Sequence, residues 1–187
     1  KFLNAGVMGL TRHFRYVLFT RRILDVMSDE ELIAVLGHEI GHAKKHHILL
    51  NILISFGFLS FFVIASVFLG GISMLLLPKP ELQELIMLCT TVGIVVLYWR
   101  VVFGFISRRF ERQADLFGTD VAGGPLPMIA ALEKLAAVSG RPRELPNWTH
   151  YSIAERVAFL EHVHMQPAAG QAFQYETRRF IRQLGIT

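Results

Sequence analysis

The sequence predicts a mainly α-helical chain in which two membrane-crossing helices separate two short polar motifs, with a small β-hairpin ahead of the first motif. Three observations carry this expectation. Residues 48–77 contain no formally charged side chain, and a helix that crosses a bilayer needs about 20 apolar residues. Residues 82–106 form a second apolar run in which Arg100 is the one deep charge. Leu32, Val35, Leu36 and Ile40 recur at helical spacing just ahead of the first run. The composition agrees: 52% of the 187 residues are hydrophobic, and the mean hydropathy is +0.43.

The elements follow in chain order. Residues 4–20 read as two short strands around a polar turn, because Tyr16, Val17, Leu18 and Phe19 favour extended backbone. Ser28 with Glu31 three residues later forms a capping box, and Asp29 and Glu30 suit a helix N-terminus, so a helix starts near residue 29. The two apolar runs make a transmembrane hairpin over 48–106, its far end marked by Gly70-Gly71 and its turn by the sequence PKPE at 78–81. If the helices continue out of the membrane, His42 lies roughly 9 Å before the first span and Glu111 roughly 7.5 Å after the second, at about 1.5 Å per residue. Beyond residue 113 the chain turns polar. Gly123-Gly124 break a helix, 127–139 form another ended by Gly140, and 141–151 are a loop. Ser152 and Glu155 open a further capped helix, and an amphipathic stretch runs from about 170 to 184.

Charge sets the orientation. Lys44 and Lys45 precede the first span, and Arg108, Arg109 and Arg112 follow the second. The loop between the spans offers only Lys79 against Glu81 and Glu84. The positive-inside rule therefore puts both flanks in the cytosol. The net charge of +4 is mild and clusters beside the spans, which excludes nucleic acid as the expected partner. The single cysteine, Cys89, rules out an internal disulfide and a C-x-x-C metal site.

The chemistry concentrates in VLGHEIGHAKKHH, residues 35–47. His38 and His42 are four apart and share a helix face, which lets two imidazoles hold one Zn²⁺ while Glu39 between them acts as general base toward a metal-polarised water. Such a site needs a third protein ligand. The segment SRRFERQADLFG offers Glu111 and Asp115, again four apart, as a ligand and an acid that orients a ligating histidine. The plain alternative is that Glu111 pairs with Arg108 or Arg112 on a wet helix face. Gly37 and Gly41 each weaken the helix by roughly 1 kcal/mol, which implies a packing or access reason; Gly41 would allow close approach of another segment to the metal. His47 reads as a helix-end residue near the membrane surface. His13, His46, His162 and His164 read as surface positions.

In NAGVMGL, YVLFTRRILDVMSDEELIAVLGHEIGHAKKHH, RRFERQADLFG and THYSIAERVAFL, occurring in that order, the chain resembles the membrane zinc metalloendopeptidases that include the type I CaaX prenyl proteases and the HtpX heat-shock proteases. The resemblance implies a zincin-like metallopeptidase core, one domain over 1–187, with the transmembrane hairpin inserted. It implies His38, His42 and Glu111 as zinc ligands, Glu39 as the base and Asp115 as the residue behind a ligand. It implies an integral, multi-pass membrane enzyme with its active site toward the cytosol and a peptide or protein substrate, prenylated or membrane-associated. The family's upstream membrane helices are missing, so a fragment of a longer protein is expected. Tyr151 stands where the family usually has proline.

Further roles follow from elimination. An oxyanion needs a donor besides the metal. His150 is the first choice, Tyr151 the reserve, and Arg156 is expected to brace a site carboxylate. The hairpin supplies an exposed edge, so Asn4, Ala5, Gly6, Val7 and Met8 are the expected substrate contacts by strand addition. Two other classes compete. A catalytically inactive metal-binding scaffold or chaperone would not need Glu39. A metal carrier would place acids and histidines deep inside the spans, where none occur, Glu84 lying at the outer end of the second run.

Overall fold

Strand β1 (Ala5–Met8) pairs antiparallel with β2 (Tyr16–Phe19), with Ala5 opposite Phe19 and Met8 opposite Tyr16. The structure, a computed structural model, describes residues 5–9, 14, 16–140 and 142–183. Asn4 and His13 lie outside the described residues. Among those described the sheet has two strands, so the outer edge of β1 is open.

A six-residue helix, α1 (Arg21–Val26), follows and buries Ile23. Helix α2 (Asp29–Lys44) starts at the expected capping box: Ser28 Oγ accepts from the Glu31 amide, and the Ser28 amide donates to Glu31 Oε2 at 2.8 Å. The same Glu31 carboxylate takes a 2.7 Å ion pair from Lys134. The start of α2 is thereby tied to α6 (Pro125–Ser139).

The spans form as helices α3 (His47–Leu76) and α4 (Pro80–Leu97). Two details differ from the sequence expectation. Helix α2 does not run into α3, because His46 adopts the left-handed conformation at φ 56° and turns the chain. Gly70-Gly71 do not end the span, which continues to Leu76 because nothing forces a positive φ at either glycine. Tyr98–Phe103 are π-helical, the Gly104 amide reaching back to Trp99 O, and helix α5 (Gly104–Val121) continues from them. Pro80–Val121 is thus one rod of 42 residues. Both rods are long and apolar enough to cross a membrane, and none of the most apolar window of either is buried inside the molecule. Tyr98 stacks on Phe58 and donates to the Ile54 carbonyl at 2.9 Å, locking the two spans together. Arg100 and Cys89 are exposed on the outer surface.

Outside the spans, α2 packs on α5 through small residues. A Cβ on Gly37 would stand 2.9 Å from Gly118 Cα, and one on Gly41 would stand 3.2 Å from Ala114 Cα. The approach inferred from the helix-weakening glycines is therefore real, and its packing offsets their low propensity. Ala34, Leu116, Met128, Leu132, Val157 and Leu160 form the main core, joining α2, α5 and α6 to α7 (Ile153–Met165). Gly140, at φ 65°, ends α6. Helix α8 (Pro167–Gln183) starts three residues earlier than expected and lays Phe180 and Ile181 on Leu50, Ile106 and Phe110.

Candidate metal centre

The helix spacing puts His38 and His42 on the face of α2 that meets α5, and Glu111 faces them from α5. His38 Nε2 and His42 Nε2 are 3.2 Å apart. Glu111 Oε1 lies 3.4 Å from His42 Nε2, and Oε2 lies 3.8 Å from His38 Nε2. A tetrahedral zinc with ligands at about 2.0–2.1 Å has ligand-to-ligand edges of about 3.3 Å. Two imidazole nitrogens and a carboxylate converge here at that spacing, so the donor set fits zinc. Helix continuity on the Glu111 side is as expected, whereas the His42 side reaches the site despite the turn at His46.

Behind His38, its Nδ1 lies 2.9 Å from Asp115 Oδ1. Asp115 is wholly buried and takes two hydrogen bonds from the Arg156 guanidinium, Nε to Oδ2 at 2.9 Å. Burial alone would raise the Asp115 carboxyl, but the Arg156 charge and the His38 hydrogen bond hold it well below its ordinary range. Burial works against the Arg156 guanidinium too, yet the Asp115 charge keeps its pKa above the usual value. Glu111 is also buried, and hydrogen bonding from His150 with the His38 and Arg156 charges lowers it to about 2. Burial, seconded by His38, lowers His42 to about 4. For His38 itself burial is outweighed by the Asp115 pair, and its pKa rises. Burial raises Glu39, while a hydrogen bond from the Val7 backbone opposes the shift.

The loop ahead of α7 is built to a fixed shape. Asn147 Oδ1 accepts from the amides of Thr149 and His150. Arg108 donates to the Trp148 carbonyl at 3.0 Å, beside Gly104, where a Cβ would collide with that oxygen. Arg112 stacks 4.0 Å over the Tyr151 ring in a cation–π contact. The Ser152–Glu155 capping box then opens α7 as expected. His150 reaches the site with Nδ1 3.1 Å from Glu111 Oε2, its side chain 47% exposed.

His38, Glu39, His42, Glu111, His150, Tyr151 and Arg156 line one cleft of about 1190 Å³ with Ala5, Gly6 and Val7. Met8 is absent from the lining and is 59% exposed. His46, His162 and His164 are exposed, as their surface reading required. His47, at a helix end as expected, is buried, its ring stacked on Phe110 at 4.3 Å, with Nδ1 3.0 Å from His42 Nδ1. Its position, five residues after His42 at the edge of an apolar run, was the one signal for it in the sequence.

Paired histidines, a facing carboxylate and a free glutamate, opening together on a cleft, are the arrangement metallopeptidases share. The chain belongs to peptidase family M48, whose model matches residues 1–164. A protease HtpX homolog of Methanothermobacter thermautotrophicus is 29% identical over 133 residues, 71% of this chain and 48% of that protein. The protease HtpX homolog of Bordetella pertussis is 28% identical over 187 residues, 87% of this chain and 62% of the relative. A CAAX prenyl protease 1 homolog of Oryza sativa subsp. japonica is 27% identical over 175 residues, 84% of this chain and 40% of the relative. The chain thus spans about half the length of the curated relatives it matches. The crystal structure of S. mikatae Ste24p shares its fold, with a TM-score of 0.62 at 21% identity over 85% of this chain and 42% of that one.

Proposed function

We propose that the chain is the core of a zinc-dependent metalloendopeptidase, embedded in the membrane, that hydrolyses peptide bonds at the cytosolic face. The convergence of His38 Nε2, His42 Nε2 and Glu111 within 4.8 Å of one another carries this reading. His38, His42 and Glu111 would hold one zinc ion. Bound there, zinc supplies Lewis acidity to a water and to a scissile carbonyl. Glu39 takes the proton of the attacking water at its carboxylate, and its burial raises its basicity for that step. Asp115 accepts from His38 Nδ1–H and fixes the ring, and Arg156 neutralises Asp115. His150 donates to the oxyanion. Its Nδ1 is spent on Glu111 in this structure, so the role calls for Nε2–H, from the imidazolium form or after release from Glu111.

Substrate is a peptide or protein, prenylated or membrane-associated, laid along the open edge of β1 at Ala5–Val7 with Tyr151 opposite in the same cleft. The cationic flanks Lys44-Lys45 and Arg108-Arg109 support a cytosolic site, and the unburied apolar rods support a bilayer around the hairpin. Purified full-length protein should contain one zinc per chain and cleave a generic unfolded protein. His38→Ala should lose both properties. Stoichiometric zinc in His38→Ala or in Glu111→Ala refutes the ligand assignment.

A further inference from the structure

The Nδ1 side of His42 meets a buried polar chain that the proposed reaction does not use. His47 Nδ1 lies 3.0 Å from His42 Nδ1, and His47 Nε2 lies 3.1 Å from Gln113 Oε1. Gln113 Nε2 in turn donates to Gln174 Oε1 on α8 at 3.3 Å. His47 and Gln113 are each 1% exposed. Among the described residues no carboxylate stands within ion-pair distance of His47. Burying two such side chains is unfavourable unless each polar atom is satisfied. An apolar pair would fill the same space beside Phe110, so the polar chain asks for a chemical reason.

The proton count along the chain supplies one. A neutral imidazole has one donor nitrogen and one acceptor nitrogen. Because Gln113 spends its amide N–H on Gln174, it presents its carbonyl oxygen to His47, and His47 must carry its proton on Nε2. The lone pair of His47 is then on Nδ1, where it accepts from His42 Nδ1–H. That leaves the lone pair of His42 on Nε2, the atom that faces His38 Nε2 and Glu111. Run in the opposite sense, the chain would put a proton on His42 Nε2 and close it as a ligand. His38 obtains the same polarity directly, from Asp115.

We propose that His47 and Gln113 are positioning residues for the metal: they hold His42 as its Nδ1–H tautomer and so keep Nε2 open as a ligand. The proposal rests on the reading of His38, His42 and Glu111 as a zinc site. It also gives the turn at His46 a purpose. The left-handed residue ends α2 and starts α3 with His47 as its first residue, where it stacks on Phe110 and reaches back to His42. A histidine in the next turn of a continuous helix would occupy a different place against α5.

The test compares zinc affinities of detergent-purified full-length variants by competition with a chromophoric chelator. His47→Phe keeps the ring and its stack but removes the acceptor. His47→Asn loses the ring but places Oδ1 near the position of the imidazole Nδ1. The relay predicts that His47→Phe weakens zinc binding by roughly 10–100-fold, the usual effect of losing such an outer partner, and that His47→Asn binds more tightly than His47→Phe. A packing role predicts the reverse order. Gln113→Leu, with His47 intact, should also weaken binding while leaving the unfolding temperature of the metal-free protein close to wild type, and it carries the test if His47→Phe does not fold. Wild-type affinity in His47→Phe or in Gln113→Leu overturns the relay, as does His47→Asn binding no better than His47→Phe. Failure of the wild-type protein to bind zinc would instead overturn the metal-site reading, and the relay with it.

Discussion

Gly118→Ala tests whether small residues between α2 and α5 set the spacing of the ligands. An alanine Cβ at 118 would overlap Met128 Cε, the movable end of a flexible side chain, and would stand 2.6 Å from the Ala34 carbonyl oxygen and 3.1 Å from the His38 amide nitrogen, where ordinary contact begins near 3.4 Å. The last two obstacles are backbone of α2, so even with Met128 turned aside the helices must part by about 0.8 Å, since a close-packed interface has no slack to absorb it. Overpacking of this kind costs about 1–3 kcal/mol. At roughly 2–4 °C per kcal/mol for a domain of this size, the unfolding temperature should fall by roughly 2–12 °C. The same displacement draws His38 and His42 away from Glu111 by several times the ~0.2 Å within which metal–ligand distances are held. Zinc affinity should fall with stability. Thermal unfolding in detergent and chelator competition measure the two effects. Gly57→Ala is the control, because a Cβ there meets nothing within 4 Å, and it should leave both quantities at or above wild type. Wild-type stability and zinc affinity in Gly118→Ala would refute the reasoning.

Other outcomes follow from single side chains. Glu39→Gln should keep zinc and lose about 10²–10⁴-fold in peptide hydrolysis; near-normal turnover in the zinc-loaded variant would remove Glu39 as the base. His150→Ala at full zinc occupancy should lower kcat far more than it raises KM, and a pure KM effect would make it a substrate-binding residue. Arg156→Met leaves Asp115 buried without its cation and should cost about 3–5 kcal/mol, read by thermal unfolding, with Arg156→Met/Asp115→Asn recovering part of the loss. Glu111 is held to about 2 against an ordinary 4.5, so its stabilisation of the metal-free protein is complete above pH 4.5 and is lost as pH falls toward 2. An unfolding temperature as steeply dependent on pH in metal-free Glu111→Gln would assign the acid sensitivity to other groups.

Most of the helical frame was legible because it rests on local chemistry. Both capping boxes are four-residue patterns, and the spans are long uncharged runs. The shared face of His38 and His42 was legible because an i, i+4 pair needs only a helix to bring it together. What escaped depends on backbone states that composition does not encode. Lys44, Lys45 and His46 include no glycine or proline, yet His46 turns the chain. The short α1 lacks a capping box, since Ile23 stands where Thr20 would need Glu or Gln three residues on, and Thr20 makes no side-chain cap hydrogen bond. His47 does sit at a helix end, as read, but its burial against Gln113 was not legible because that partner is 66 positions away in sequence.

The π-helical stretch at Tyr98–Phe103 has a consequence for how the molecule can vary. Each residue of an α-helix advances the chain by about 100° around the axis, so a wider turn offsets the angular phase of everything after it. Relaxing the stretch to regular α-helix at unchanged length would swing α5 by roughly 100° and carry Glu111 and Asp115 off the face that meets α2, whereas removing one residue at the same time would roughly keep the phase. The outer turn near Pro78–Pro80 has no such restriction, because both rods can shorten there by matched amounts without rotating their inner ends. The hairpin is therefore geared to the site rather than simply attached to it: its outer reach is free to follow bilayer thickness, while the wide turn between Tyr98 and Glu111 and the extra residue it takes up can only be kept or lost together.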